Sequence, residues 1–417
     1  MRLPRNIFQL LIALEAAALI VVIIFGAVHM GKDAIQTGKS VEDAAEKKQA
    51  DKEEREKFVA KKAEEDPKED AEEENKAPKE LEPAVFSETV QGKLSSMTLE
   101  EKVAQMFFIT PEALTHSDAV EVAGESTKEA VTSYPVGGLI YSSVNFKDKE
   151  QTREMLTGVQ GFSNERIGLP MFLAVQECGG NDSSPVAVAN GYDVQRSPLE
   201  IGAGGNPTEA ARAAEFIAAY LTEEGFNMNL MPCTEMGNDG KCYGTDIQNI
   251  SMMTAEAVNA SRAGGIRTVA GTFPGNGAAG ITEEDFLEWE EKEGHVFEGC
   301  INAGTDCMML SSMACEGLTG DAETLCCLSK EAVYYLRNDM RYTGIIMTDS
   351  LSAEAVTGKY GAGEAAVEAV KSGINMLYLP ANFEEAYQAV VDAVNSGVIE
   401  EEIIDQAAGY ILTQKMG

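Results

Sequence analysis

From residue 107 onward the chain carries eight short apolar runs that lack the in–out alternation of a half-exposed strand. They are Phe107-Phe108-Ile109, Gly138-Leu139-Ile140-Tyr141, Phe172-Leu173-Ala174-Val175, Met228-Asn229-Leu230-Met231, Arg267-Thr268-Val269-Ala270, Cys307-Met308-Met309-Leu310, Gly344-Ile345-Ile346-Met347 and Asn375-Met376-Leu377-Tyr378-Leu379. Runs of this kind read as strands covered on both faces, which is the condition of a parallel sheet. Parallel neighbours need crossover connections, and helical patterns fill the gaps, as at Pro207 to Glu224, Ile247 to Ala263 and Gly363 to Ser372. About eight strand–helix units in roughly 320 residues predict an α/β fold, a single (β/α)8 barrel. A doubly wound open sheet is the other arrangement, but no G-x-G-x-x-G follows a strand, so a nucleotide site has no support.

Ahead of the barrel, Ile7 to Val28 form an apolar run of roughly the 20 residues that span a bilayer. Arg2 and Arg5 precede it and place residues 1–6 in the cytoplasm. We read residues 7–29 as an uncleaved transmembrane signal anchor, with a cleaved signal peptide as the rival. Residues 30–87, rich in Ala, Glu, Lys and Asp, are expected to form a charged stalk, disordered or helical. The globular part is expected over 88–417, held on the extracytoplasmic side of the cell membrane. It opens on a helix entered through a capping box, Thr98 with Glu101.

The formal charge is −35, from 33 basic and 68 acidic residues. A chain so acidic repels phosphate backbones, which argues against nucleic acid as a partner. The 8 Cys all lie between Cys178 and Cys327, and the three His are far apart. No Cys-x2-Cys pair joins a His, so neither a zinc site nor any other metal or cofactor is expected. The thiols read as small buried hydrophobes, with one or two disulfides left open by an extracellular setting.

One apolar run ends abruptly in a carboxylate: Gly344-Ile345-Ile346-Met347-Thr348-Asp349. Ser350 to Val356 then reads as a helix start. An acid at the C-terminal tip of a parallel barrel strand faces the substrate pocket, so Asp349 is a catalytic candidate. On spacing alone it could equally cap the following helix.

Several segments taken in order resemble the family-3 glycoside hydrolases, in the single-domain β-N-acetylhexosaminidase branch. They are Met97 to Met106, Val136-Gly137-Gly138-Leu139-Ile140, Ala174-Val175-Gln176-Glu177-Cys178-Gly179-Gly180, Phe273-Pro274-Gly275, Gly344 to Ser352, and Ala365 through Gly373 to Leu377. The resemblance implies a retaining glycosidase acting on amino sugars. Asp349 falls on the nucleophile position, with Ser350 where the motif has a second acid. Substrate-binding positions map to Gln176, Glu177, Lys241, Thr272 and Asn276. Gln176 replaces a sugar-gripping Asp, and Lys241 replaces an Arg, losing its bidentate fork. Gly271, Thr272 and Asn276 stand where the family has a Lys and two His. The loop that should carry a His acid/base reads Ala278 to Asp285 without one, leaving Glu283, Glu284 and Asp285 as replacement candidates. His295 comes too late and suits a surface role at a helix start.

Three readings follow. The chain is a glycosidase of amino-sugar or cell-wall carbohydrate metabolism with a replaced acid/base. It is a pseudoenzyme, weakened or inactive, that binds an amino-sugar or peptidoglycan-derived saccharide. Or it is a tethered scaffold that presents a protein-interaction surface.

Overall fold

The eight apolar runs become eight strands in a computed structural model that describes residues 81–417. The anchor expected over 7–29, and residues 30–80 of the expected stalk, lie outside the described residues. Among the described residues no helix is long and apolar enough to cross a membrane.

The strands are β1 (Phe107–Ile109), β2 (Gly138–Tyr141), β3 (Phe172–Val175), β4 (Met228–Asn229), β5 (Arg267–Phe273), β6 (Cys307–Leu310), β7 (Ile345–Thr348) and β8 (Leu377–Tyr378). Every residue of β1, β2, β3, β6 and β7 is buried, as continuous apolar runs require. β4 stops two residues short of its apolar run, although Leu230 N–H still donates to the Val175 carbonyl at 2.9 Å. β5 runs three residues further than its apolar core and shifts register between Gly271 and Phe273.

All neighbours are parallel, in the order β7-β6-β5-β4-β3-β2-β1-β8. The last gap is bridged where Met347 faces Met376. There Asn375 and Met376 donate their N–H groups to the Ile346 carbonyl, at 2.9 and 3.1 Å, and Thr348 donates to the Met376 carbonyl at 3.0 Å. The sheet therefore closes on itself, and the open-sheet alternative is set aside.

Local signals hold where they were strongest. The Pro207–Glu224 and Ile247–Ala263 helices have the expected bounds. The capping box is present, with Glu101 N–H donating to Thr98 Oγ1 at 3.3 Å and Thr98 N–H to Glu101 Oε2 at 3.1 Å. The end of the stalk segment is part of the folded body. Phe86 sits edge-on to Tyr410 at 5.6 Å, and Ala84 N–H donates to Gln406 Oε1 at 2.8 Å.

The C-terminal helix Glu401–Met416 packs beside the N-terminal ends of the strands and buries Lys415 there. Its ammonium donates to Gln105 Oε1 at 2.8 Å, and burial, helped by the charge of Arg267, pushes its pKa down to about 7. The folded chain therefore holds fewer protons than the unfolded one between about pH 7 and 10.5. Stability rises with pH through that window, by about 1.4 kcal/mol per unit at most, and the cost is full below pH 7. Lys415→Met should stabilise the fold by about 2 kcal/mol near pH 6.5, once the loss of the Gln105 hydrogen bond is subtracted. Denaturant titrations of both proteins should converge as the pH approaches 10; a constant difference at all pH values would overturn this account.

Candidate active site

In a parallel barrel the loops leaving the C-terminal ends of the strands converge on one face, so residues just past each strand meet there. Asp349, immediately after β7, is fastened from both sides. Its Oδ2 accepts from Ser312 Oγ at 2.7 Å and Ser312 N–H at 3.3 Å, and its Oδ1 accepts from Ser350 N–H at 2.7 Å. Its own N–H donates to the Leu310 carbonyl at 2.7 Å. The helix expected from Ser350 starts only at Glu354, with Ala353 at its N-cap and no side-chain cap. Asp349 is therefore not a helix cap, and its oxygens are oriented by the loops after β6 and β7.

Asp349 lines a cavity of about 270 Å³ together with Gln176 after β3, Glu235, Asp239 and Lys241 after β4, Thr272 in β5 and Tyr378 in β8. That is near the lower end of small-ligand sites, about 300–1,000 Å³, and suits one sugar ring. The Tyr378 phenol is held well above its ordinary pKa, by burial first and then by the Asp349 charge, so it stays protonated and faces the carboxylate as a neutral group. The Thr272 hydroxyl donates to Glu235 Oε1. Lys241 Nζ donates to Gln176 Oε1 at 3.1 Å.

A second chamber of about 680 Å³ shares Gln176, Lys241 and Tyr378 with the first and continues over Ser142, Ser143 and Asp182. The Gln176–Lys241 bridge thus forms a ridge between two hollows at the mouth. A further hollow of about 510 Å³ lies around Arg262, Arg267 and Asp306, at the N-terminal ends of the strands. Residues on that side of a barrel serve stability, as the Arg262–Asp306 ion pair at 3.3 Å does here.

The structure sorts the positions expected from sequence. Asp349, Gln176, Lys241 and Thr272 meet in the cavity. Glu177 does not. It is 1% exposed, and its carboxylate accepts from Val186 N–H at 3.0 Å, Ala187 N–H at 3.1 Å and the Tyr220 hydroxyl at 2.7 Å. Burial pushes its pKa up to about 6 against these three donors. Side chains alternate along an extended segment, so if Gln176 faces the mouth then Glu177 faces inward.

Asn276 also stays outside the cavity lining. Its side-chain amide clasps the loop after β4, donating to the Met236 carbonyl at 2.5 Å and accepting from Met236 N–H at 3.1 Å. Glu283, Glu284 and Asp285 form the exposed first turn of the helix Glu283–Lys292 and do not line the cavity. Acids in a first turn are stabilised by the helix dipole and water, which is enough to explain them. His295 is exposed and pairs with Glu298 at 2.9 Å.

Glu235 and Asp239 are the carboxylates that join Asp349, and Ser312 its main orienting group. Their signal was positional: Ser312 lies two residues past β6, and Glu235 six past β4. Among the described residues no cluster of His, Cys, Asp and Glu is placed to hold a metal ion.

Glu177 yields a stability prediction. Glu177→Ala strands two N–H groups and a buried phenol, and should cost about 3 kcal/mol of folding free energy at neutral pH. A denaturation midpoint unchanged from the parent would show that the three contacts contribute nothing.

Comparison with known proteins adds ancestry to this geometry. The sequence pattern described as the Glycosyl hydrolase family 3 N terminal domain matches residues 98–414. A β-N-acetylglucosaminidase/β-glucosidase of Cellulomonas fimi is 23% identical over 350 residues, covering 78% of this chain and 59% of that protein. A β-hexosaminidase of Photobacterium profundum is 24% identical over 285 residues, covering 63% of this chain and 80% of its own. Among solved structures, a family-3 β-N-acetylglucosaminidase of Paenibacillus superimposes with a TM-score of 0.70 at 26% identity, covering 77% of this chain and 62% of that one. The chain thus spans about 60% of the length of the Cellulomonas and Paenibacillus proteins.

Proposed function

Because this chain belongs to glycosyl hydrolase family 3, we propose that its barrel hydrolyses a terminal β-linked N-acetylhexosamine with retention. The observation that carries this reading is Asp349, clamped by Ser312 and Ser350 in a sugar-sized cavity that holds a second carboxylate, Glu235. Retention takes two displacements. An Asp349 oxygen attacks the anomeric carbon while an acid protonates the departing oxygen. Water then attacks the glycosyl–Asp349 ester while the same group, now a base, takes its proton.

Glu235 is the group we assign to that second role. It lines the same cavity as the serine-clamped nucleophile, while Glu283, Glu284 and Asp285 are exposed and do not line it. A retaining pair spans roughly 5–5.5 Å, a separation that a cavity of about 270 Å³ accommodates. Gln176 and Lys241, already bonded to each other, hold hydroxyls of the sugar. With one neutral amide and one ammonium where the family has an Asp and an Arg, binding is weaker and turnover slower than in a fully equipped relative. We further propose that residues 7–29 anchor the enzyme, leaving the barrel outside the cell to meet cell-wall amino sugars.

A second reading, a saccharide-binding protein without turnover, is favoured by the Gln176–Lys241 bridge, which already occupies groups a substrate would use. One experiment separates the two. The intact chain is exposed to a dinitrophenyl N-acetyl-β-glucosaminide, whose leaving group departs without acid help, and both released phenol and intact mass are followed. Phenol release with a glycosyl adduct supports the enzyme. Saturable binding of the sugar with neither product supports the second reading and overturns the first.

A further inference from the structure

The loop between β4 and the helix Ile247–Ala263 delivers Glu235, Asp239 and Lys241 to the cavity, and two cysteines, Cys233 and Cys242, flank the stretch that carries them. Cys233 Sγ and Cys242 Sγ are 2.7 Å apart. That is far inside an ordinary sulfur–sulfur contact, and only a small adjustment from the ~2.05 Å of a bond. The backbone already holds the two residues opposite each other. Cys233 is bridged to Gly271 of β5, and Gly237 pairs antiparallel with Gly244, its N–H donating to the Gly244 carbonyl at 2.8 Å. A methyl group on Gly237 would come within 3.3 Å of Cys242 Sγ, so the turn packs directly on this sulfur.

We infer that Cys233 and Cys242 are a covalent modification site: they close into a disulfide that staples the loop carrying Glu235, Asp239 and Lys241 over the cavity. The oxidant is a dithiol-exchanging disulfide, a small disulfide or the active-site disulfide of an oxidoreductase. The Cys233 thiolate attacks one sulfur of that disulfide, whose S–S bond breaks and whose other sulfur leaves as a thiol. The Cys242 thiolate then attacks Cys233 Sγ, expels the second thiol and completes the ring. Two protein S–H bonds are lost, one S–S bond forms, and the oxidant leaves as two thiols.

Access decides which cysteines take part. Cys233 is half-buried and lines the cavity, so an oxidant reaches it from the mouth. The other thiol pair in contact, Cys315 with Cys326, is wholly buried at both sulfurs' residues and offers no such approach. The consequence for the site rests on the function proposed above, but the covalent step rests on this geometry alone. Closing the ring removes further freedom from a loop already tied by the Asn276 clasp, the Lys241–Gln176 bridge and the Thr272–Glu235 hydrogen bond. A cavity wall pre-set in this way costs less to order around a sugar.

The full chain, reduced and then treated with oxidised glutathione, should lose about 2 Da and two titratable thiols, with Cys233 and Cys242 in one cross-linked peptide. Cys242→Ser should instead stop at a glutathione mixed disulfide on Cys233. Backbone amides of residues 234–241 should exchange with deuterium about tenfold more slowly in the oxidised chain. Neither readout depends on turnover, so a catalytically silent protein would leave the inference standing. A full complement of alkylatable thiols after oxidation, or a cross-link at Cys315 and Cys326 instead, would overturn it. Oxidation without slower exchange would overturn the staple.

Discussion

Asp349→Ala should lower kcat/KM towards an aryl N-acetylglucosaminide by roughly 10⁴-fold or more, because it removes the atom that forms the covalent intermediate. The adduct seen with a good leaving group should vanish with it. Stability should change little. Asp349 is only half-buried, the Ser312 hydroxyl can turn to water once the carboxylate is gone, and water can take its place on the Ser350 N–H. The split matters, since a structural role would move the melting temperature and leave the remaining activity in proportion to folded protein. Retained turnover in a well-folded Asp349→Ala variant would remove the nucleophile assignment. Ser312→Ala, which leaves the carboxylate in place but leaves Oδ2 only the longer bond from the backbone N–H of residue 312, should cost a smaller factor, about tenfold.

Glu235→Gln should separate its two possible roles by leaving group. As acid/base, it should reduce cleavage of a poor leaving group, an alkyl glycoside or a disaccharide, by about 10²–10⁴-fold. Glycosylation with dinitrophenolate, which needs no proton, should be nearly unaffected, and the adduct should accumulate because water is no longer activated. Azide, a nucleophile that needs no base, should restore turnover and give a β-glycosyl azide. Equal losses on both substrates without azide rescue would make Glu235 a binding group held by Thr272 and nothing more. In that case Asp239, the other carboxylate that lines the cavity with Asp349, would be the next residue to change.

The barrel was legible because its determinants are local. Most residues of each β-strand run are apolar, and the runs are separated by helices with their own start signals, such as Asp246 ahead of Ile247–Ala263. Chain direction and crossover length then leave few topologies. Asp349 was legible for the same reason, since a carboxylate abutting such a run must emerge at a strand tip. Legibility ended in the loops. The segment 230–246 has no periodicity, so sequence could not decide whether Glu235 or Asp239 reaches the pocket in a chain of net charge −35.

Motif position and cavity lining part in two places. Glu177 sits next to Gln176 in the sugar-binding motif, yet one residue of extended chain turned it into the interior, where Val186, Ala187 and Tyr220 hold it. Glu283, Glu284 and Asp285 lie just where the missing His was sought. There the chain makes a turn at Asn276–Ala278 and enters a helix, so their charges meet water.

Sequence alone, then, determined the closed parallel barrel, its family and the acid at the end of β7, because hydrophobic period and strand ends are properties of neighbouring residues. Tertiary structure decided which carboxylates share a cavity with Asp349, which residue of the sugar-binding motif is a buried fastener and which two thiols touch. Those depend on contacts between loops far apart in the chain, such as Asn276 with Met236, Lys241 with Gln176 and Ser312 with Asp349, and such contacts exist only once the barrel has brought the loops to one face.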